Sequence, residues 1–210
     1  MTLHEEVLAP SQKRALRALG PLMTVEDFYL AGGTAVAIHL GHRRSIDMDW
    51  FTGRAMGDAL ALAARVQEGA APLSVDQVAP GTLYGRVLGV RVTFLEYHYP
   101  LLAETVTWAD YSSPLASLDD LACMKLSAIT QRGARKDFID LYALVTRHRP
   151  LPELLAAYQQ KYNIEDIAHV LYGLTYFDDA DRERSPTVLW NLDWRTIKKA
   201  MRSWVKEVAA

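Results

Sequence analysis

The sequence has a single cysteine, no long apolar run and little net charge, and each of these absences excludes a class of protein. One thiol, Cys123, cannot form an intramolecular disulfide and is consistent with a reducing compartment. Because no stretch of 18 apolar residues occurs, we expect no membrane-spanning segment. The net charge of −2 gives no overall field that would attract nucleic acid. The N-terminus does not resemble a signal peptide, so we expect a cytoplasmic protein.

What remains is the composition of an ordinary globular protein. Of the 210 residues, 50% are hydrophobic and 23% are charged, which is enough apolar material for a substantial core. The patterns described below predict an α/β (α+β) fold, in which a small mixed sheet has flanking helices. We expect an α/β core over residues 1–100 and a helical region over 101–210 that packs on it, with one continuous domain as the alternative.

The most informative stretch begins with a short strand that ends in a glycine turn. Phe28 to Ala31 is an aromatic and aliphatic run, typical of a buried strand. Gly32-Gly33-Thr34 interrupts it, and the Ala-rich segment 35–40 that follows has the composition of a helix. The turn would therefore lie at a helix N-terminus, where free N–H groups and the helix dipole favour an anion such as phosphate. Taken alone, such a tripeptide is more often an ordinary turn, and no Gly-Lys-Ser/Thr follows it.

Two aspartates follow the glycine turn at a spacing that suits a metal site. In a strand over 46–51, Asp47 and Asp49 would project to one face, while Ile46, Met48 and Trp50 would project to the core. Two adjacent carboxylates repel each other unless a cation lies between them, and hard oxygen ligands suit Mg²⁺. An alternating polar pattern is also usual on a half-exposed strand. The order of turn and acidic pair favours metal-assisted phosphoryl chemistry.

In the rest of the chain the spacing of hydrophobic residues changes twice, first to that of strands and then to that of helices. Segments 73–79, 82–88 and 90–97 are short and rich in Val, Leu and Tyr, which predicts antiparallel strands. After Pro100 the pattern is helical to the end. One of these helices begins near Ser117 and contains Lys125, which by its apolar neighbours would be a snorkelling surface residue. The next helix carries Asp137 and Asp140, and its simplest reading is a solvated face on which Lys136 pairs with Asp140.

Basic residues cluster in two places that could contact phosphate. His42-Arg43-Arg44 precedes the acidic pair and could hold a triphosphate. The final helix, from about Asp193, carries a basic stripe of Arg195, Lys199, Arg202 and Lys206 opposite an apolar one. This is the pattern of an ordinary amphipathic surface helix, and it would also suit a face that contacts RNA phosphates.

Two groups of motifs together resemble the AbiEii/AbiGii family, the nucleotidyltransferase-fold toxins of abortive-infection and type IV toxin–antitoxin systems. The first runs from Leu30-Ala31-Gly32-Gly33-Thr34 to Asp47-Met48-Asp49. The second runs from Lys125-Leu126 through Arg132-Gly133 to Lys136-Asp137 and Asp140-Leu141. The motifs lie within residues 28–145.

The resemblance implies a Mg²⁺-dependent nucleotidyltransferase. Asp47 and Asp49 would hold the metal and act in catalysis with Lys125 and Asp137. Lys125 would neutralise charge that develops during transfer, and Asp137 would orient or deprotonate the attacking hydroxyl. Nucleotide binding would involve Gly32, Gly33, Thr34 and Arg44.

The same resemblance implies substrates and a partner. The donor would be an NTP, the acceptor RNA, such as the 3′ end of a tRNA, and the partner a separately encoded antitoxin. In one respect the chain departs from the pattern, because Thr93 stands where many relatives have a third carboxylate. Thr93 therefore motivates an alternative prediction, a nucleotide-binding or antitoxin-binding module that has lost transfer chemistry.

Overall fold

The structure is a computed structural model that describes residues 2–209. Seven strands form one sheet: β1 (Tyr29–Ala31), β2 (Met48–Thr52), β3 (Leu73–Ala79), β4 (Thr82–Val87), β5 (Val90–Glu96), β6 (Val106–Trp108) and β7 (Ser113–Leu115). The α-helices are α1 (Pro10–Val25), α2 (Gly32–Leu40), α3 (Ala59–Gly69), α4 (Leu118–Arg132), α5 (Arg135–Arg147), α6 (Leu151–Tyr162), α7 (Ala168–Thr175), α8 (Asp178–Arg182) and α9 (Trp194–Val208). Single turns of 3₁₀-helix occur at Glu5–Val7 and Ala109–Tyr111.

The sheet is mixed, and its centre carries the acidic pair. The strand order is β3-β4-β5-β2-β1-β7-β6. β2 runs antiparallel to β1 and parallel to β5, so that Asp49 lies opposite Ala31 on one side and Thr93 on the other. The three-stranded meander β3-β4-β5 is antiparallel throughout. The last residue of β1 and the first residues of β2 therefore lie side by side where these two central strands end. The glycines at the start of α2 lie at the same end of the sheet.

The predicted fold class is confirmed, and so are the three antiparallel strands after residue 70. The prediction that the chain is helical from Pro100 onward is wrong for its first part. β6 and β7 form a hairpin there, and β7 pairs in parallel with β1 through Leu30 and Leu115. Each of these strands has only three residues, too few for a period of two to be visible in the sequence. The helical region begins at Leu118, where Ser117 caps α4 as predicted.

The strand that carries the acidic pair is shorter than predicted. It begins at Met48, so Asp47 lies immediately before it and Ile46 is not a core residue. Ile46 is 69% exposed, whereas Met48 and Trp50 are fully buried as expected. The segment before Met48 is fixed by a different contact, an isolated bridge between Arg43 and Val188. This bridge ties the approach to β2 to the C-terminal part of the chain.

Helix α2 connects the sheet to the helical region. It packs on β1 and β2 on one side and on α4 and α5 on the other. Its first turn therefore lies between the edge of the sheet and the helices that carry Lys125 and Asp137. Within the described residues, none of the helices has the length and apolar character needed to cross a bilayer.

Candidate active site

A cavity of about 430 Å³ opens where the sheet edge meets the helical region. The volume falls within the range typical of small-molecule sites. One wall is formed by the start of α2 and of β2, and the other by α4 and the first turn of α5. Its lining residues are Gly32, Gly33, Arg43, Ser45, Asp47, Asp49, Phe51, Leu95, Tyr97, Met124, Lys125, Ser127, Ala128, Gln131, Arg132 and Lys136.

The two glycines are required by what lies against them. Gly32 has a φ of +65°, and a Cβ at this position would lie 2.6 Å from Oδ2 of Asp49. A Cβ on Gly33 would collide with Nη2 of Arg43. The absence of side chains allows the first turn of α2 to approach both groups. No side chain caps this helix, so its first N–H groups are available to an anion in the cavity.

Asp47 and Asp49 both line the cavity, which brings the predicted acidic pair together. Burial raises the pKa of the Asp49 carboxyl; the Thr93 hydroxyl opposes that rise, and the charge of Asp47 adds to it. Oδ1 of Asp47 is buried and receives no hydrogen bond, although Nε of Arg91 lies 2.8 Å from it. The hydroxyl of Thr34 donates to the main-chain carbonyl of Asp47 and fixes the position of this residue. Two crowded carboxylates with so few hydrogen-bond donors are a favourable place for a cation.

Lys125 faces the acidic pair from α4 and is held by two carboxylates. Its Nζ lies 2.8 Å from Oδ1 of Asp137 and 2.7 Å from Oδ2 of Asp140. These charges raise the pKa of Lys125 in spite of its burial. Lys125 is 3% exposed, so the prediction that it snorkels at the surface is wrong. A buried ammonium group whose charge is stabilised by two carboxylates thus lines the cavity.

Asp137 lies behind Lys125 and does not line the cavity. Its second oxygen accepts a hydrogen bond of 2.8 Å from Nε of Arg132. Burial by itself would raise the pKa of Asp137, but Lys125 and Arg132 outweigh it, and the net shift is downward. The carboxylate is fully engaged by two cations that do face the cavity.

Asp140 is the centre of a second buried set of charges. Arg43 forms two hydrogen bonds with it, of 2.5 and 2.8 Å, and Nε2 of His42 donates to it over 2.7 Å. Burial opposes ionisation of this carboxyl, but Arg43 and Lys125 hold its pKa well below the usual range. The predicted surface pair between Lys136 and Asp140 is therefore wrong. Asp140 faces inward, and Lys136 lines the cavity instead.

Two of the predicted nucleotide-binding residues lie outside the cavity lining. The side chain of Arg44 is exposed, and the neighbouring Arg43 lines the cavity in its place. The sequence indicated the basic cluster but did not distinguish between the two arginines. Thr34 is buried behind Gly33, and its hydroxyl is occupied by the carbonyl of Asp47. Its side chain supports the loop rather than facing a ligand.

The far end of the cavity is apolar and was not predicted. It is formed by Phe51, Leu95, Tyr97 and Met124. The rings of Phe51 and Tyr97 meet edge to face, with centroids 5.5 Å apart, and the Tyr97 hydroxyl is hydrogen-bonded to that of Tyr162 at 2.6 Å. The sequence feature that could have indicated this apolar end is the alternation of side chains between the two faces of a strand. Phe51 follows Asp49 on the same face of β2, and Leu95 and Tyr97 follow Thr93.

A hydroxyl lies at the position where the family resemblance led us to expect a third carboxylate. Thr93 lies directly opposite Asp49 in the parallel pairing of β2 with β5. Glu96, further along β5, accepts a hydrogen bond from the main-chain N–H of Met56 and lies outside the cavity lining. Within residues 2–209, no cluster of three or more Asp, Glu, His or Cys residues has a metal-binding arrangement.

Comparisons with known proteins show the family to which the chain belongs. Residues 14–207 match the family model described as "Nucleotidyl transferase AbiEii toxin, Type IV TA system". The chain is 35% identical over 204 residues to the uncharacterized protein aq_aa25 of Aquifex aeolicus (strain VF5), covering 95% of this chain and 97% of that protein.

Two solved structures share the fold at low sequence identity. The nucleotidyltransferase toxin MenT4 of Mycobacterium tuberculosis H37Rv superposes with a TM-score of 0.60 at 13% identity, over 95% of this chain and 82% of the toxin. JHP933 of Helicobacter pylori superposes with a TM-score of 0.57 at 14% identity, over 98% and 93% of the two chains. The family match spans most of the chain and includes every element of the cavity: this protein is a nucleotidyltransferase and belongs to the AbiEii family of type IV toxin–antitoxin systems.

Proposed function

We propose that the cavity binds an NTP and a divalent metal ion, and that the protein transfers the NMP group to an RNA acceptor. The observation that carries the proposal is the contact between Gly32 and Asp49, where a Cβ would lie 2.6 Å from the carboxylate. This contact joins a helix N-terminus, which favours phosphate, to an acidic pair, which favours a cation. A metal-bound triphosphate requires both at once.

The acidic pair has the donor chemistry of a Mg²⁺ site. Asp47 and Asp49 supply hard oxygen ligands, and Oδ1 of Asp47 lacks a hydrogen-bond donor. A Mg²⁺ ion that also binds substrate phosphates is usually held by one or two protein carboxylates. When bound, the metal would orient the phosphates and stabilise the negative charge of the transfer step.

The remaining residues of the cavity divide between phosphate and base. Lys125, Arg132 and Lys136 would face the β- and γ-phosphates and stabilise the leaving pyrophosphate, together with the first N–H groups of α2. At the other end, Phe51 and Tyr97 would contact the nucleobase. Aromatic rings stack on any base, so this end gives affinity rather than selection among bases.

Asp137 would act as a positioning residue. Both of its oxygens are engaged, by Lys125 and Arg132, and its pKa is lowered. A general base is best matched to the operating pH, and a carboxylate of lowered pKa is further from that match. Its contribution would be to hold two cations against the triphosphate, in place of the predicted deprotonation of the acceptor.

Membership of the family supports RNA as the acceptor, with the 3′ end of a tRNA as its reactive site. The exposed residues Arg195, Lys199 and Lys206 on α9 supply local positive charge that could contact phosphates in a chain of low net charge. Family membership also supports a separately encoded antitoxin as the protein partner.

A second candidate function is a module that binds NTP without transferring it. The specific observation in its favour is Thr93, a hydroxyl opposite Asp49 where a third carboxylate would complete the metal site.

The test is incubation of the purified protein with Mg²⁺, each α-labelled NTP in turn, and total cellular RNA. We expect label in a discrete RNA band, lost on removal of Mg²⁺ and in Asp49→Asn. Asp76→Asn is the matched control, because Asp76 is a carboxylate of the neighbouring surface that pairs with Arg86. Binding of NTP that depends on Asp49, without label in any RNA, would support the second candidate. Label that persists in Asp49→Asn would contradict the proposed site.

A further inference from the structure

Arg91 occupies the side of the acidic pair that faces away from the main cavity. Its Nε lies 2.8 Å from Oδ1 of Asp47, and its side chain projects from β5 into a second, smaller cavity of about 260 Å³. The two cavities share Asp47 and Asp49. Arg91 therefore contacts the pair from the sheet side, whereas Lys125 faces it from the helices.

Two of the other cations near the pair are committed to different carboxylates, and the third, Lys136, lines the main cavity without forming an ion pair within residues 2–209. Lys125 is held by Asp137 and Asp140, and Arg43 is held by Asp140. Throughout residues 2–209, Arg91 is the one cation within ion-pair distance of Asp47, and no cation forms an ion pair with Asp49. The charge of the acidic pair is thus compensated directly by a single guanidinium group.

The contact between Arg91 and Asp47 is easily displaced. It is an ion pair without a hydrogen bond, because Oδ1 of Asp47 has no donor in hydrogen-bonding geometry. The side chain of Arg91 is 54% exposed, so water screens the pair and the guanidinium can move away from it. Buried bidentate pairs, such as that of Arg43 with Asp140, are much more costly to break.

We propose that Arg91 takes the place of the cation at Asp47 in the metal-free protein and leaves when a divalent metal binds, so that this residue sets the metal affinity of the site. The inference rests on the proposed function, since it assumes that the acidic pair is the metal site. While Arg91 covers Asp47, a metal ion cannot bind there. The apparent metal affinity is therefore the intrinsic affinity multiplied by the fraction of molecules in which Asp47 is uncovered.

The test is titration of the metal-free, full-length protein with Mn²⁺ in the absence of nucleotide, with free Mn²⁺ followed by electron paramagnetic resonance. Arg91→Gln removes the positive charge of the guanidinium group that lies beside Asp47. Arg86→Gln is the matched control, because Arg86 lies directly opposite Arg91 in the β4–β5 pairing, is 49% exposed and pairs with Asp76 instead. We expect a Kd roughly three- to tenfold lower in Arg91→Gln and a change of no more than about twofold in Arg86→Gln. Thermal unfolding followed by circular dichroism checks that both variants are folded.

The outcomes separate this inference from the function on which it rests. An equal change of Kd in Arg91→Gln and Arg86→Gln, or none in either, would overturn the role of Arg91. If Asp49→Asn still abolished binding in that case, the metal site itself would stand. Absence of Mn²⁺ binding in both the unmodified protein and Arg91→Gln would overturn the metal assignment and the inference together. Binding detectable only after Arg91→Gln would support both.

Discussion

Lys125 and Asp137 form a buried ion pair between α4 and α5, with Nζ of Lys125 2.8 Å from Oδ1 of Asp137. Arg132 contacts the same carboxylate from the end of α4. The Asp137 carboxylate, which lies behind the cavity wall, therefore holds the two cations at the surface of the cavity. The arrangement explains how positive charge can be concentrated beside the proposed triphosphate site without destabilising the fold, because each cation keeps a carboxylate partner when the cavity is empty.

Asp137→Asn should weaken NTP binding as well as the fold. Loss of the charge frees Lys125 and Arg132, and we expect a loss of about 2–3 kcal/mol of unfolding free energy, less than for a wholly unpaired buried charge because Lys125 retains Asp140. Urea unfolding and NTP titration measure the two effects. The control is Asp181→Asn, which breaks a half-exposed pair with Lys198 and should cost less than about 1 kcal/mol. Unchanged NTP affinity with complete loss of transfer would instead identify Asp137 as the base.

The contribution of Asp140 to the free energy of unfolding should decrease as the pH is lowered. Its pKa in the folded protein is well below the usual value, so the unfolded chain takes up its proton first as the pH falls. The contribution is fully present above the unfolded pKa of about 3.9 and is lost as the pH falls below it toward the folded pKa. The difference in unfolding free energy between the unmodified protein and Asp140→Asn should thus be constant from about pH 7 to 5 and shrink toward pH 3. Urea unfolding at each pH measures it; an equal difference at pH 7 and pH 3 would be incompatible with the buried charge network.

Gly32→Ala should abolish metal binding and transfer. The added Cβ meets Oδ2 of Asp49, and φ at this position is +65°. Gly57→Ala separates the two effects, since Gly57 has a φ of +66° and a Cβ added there would meet nothing within 4 Å. Both variants should lose roughly 1 kcal/mol of stability from backbone strain, and only Gly32→Ala should lose Mn²⁺ affinity. A functional Gly32→Ala protein would show that the close approach of α2 to Asp49 is dispensable.

Tyr97→Ala should raise the KM for NTP by about tenfold, because it removes an aromatic surface on which the base can stack. Tyr97→Phe keeps the ring and loses only the hydrogen bond to Tyr162, so its KM should stay close to normal while stability falls by about 1 kcal/mol. Steady-state kinetics with each NTP provides the measurement. If Tyr97→Ala left every KM unchanged, the base would have to bind elsewhere.

The parts of the site that follow a local pattern could be predicted from the sequence. The strand and the helix over residues 28–40 are dictated by a hydrophobic run and an Ala-rich segment, and both form. The helix begins at Gly32, so Gly32-Gly33-Thr34 make up its first turn and do not form the separate turn that was predicted. The meander β3-β4-β5 follows from alternating residues and turn signals. The acidic pair was indicated by its spacing and by the family motifs, whereas Lys125 was indicated by the family motifs alone.

The parts that depend on contacts between distant residues could not be predicted locally. Arg43 and Arg44 are equivalent in the sequence, and a carboxylate 97 positions away decides which of them turns inward. Ile46 has the character of a core residue, yet the bridge of Arg43 to Val188 keeps its segment out of the sheet. Lys136 and Asp140 have the spacing of a surface pair, but burial of Asp140 gives it stronger partners.

The pairing of β1 with β7 bears on the order in which the parts of the cavity are completed during synthesis. Leu30 pairs with Leu115, and the cations of the opposite wall come later still, at Lys125, Arg132 and Lys136. A nascent chain that ends before α4 contains the glycine turn and both aspartates but none of these three cations. Domains emerge from the ribosome N-terminal end first. The acidic pair is therefore synthesised before the wall that would face the triphosphate, and the cavity can close only after α4 and the start of α5 have been made.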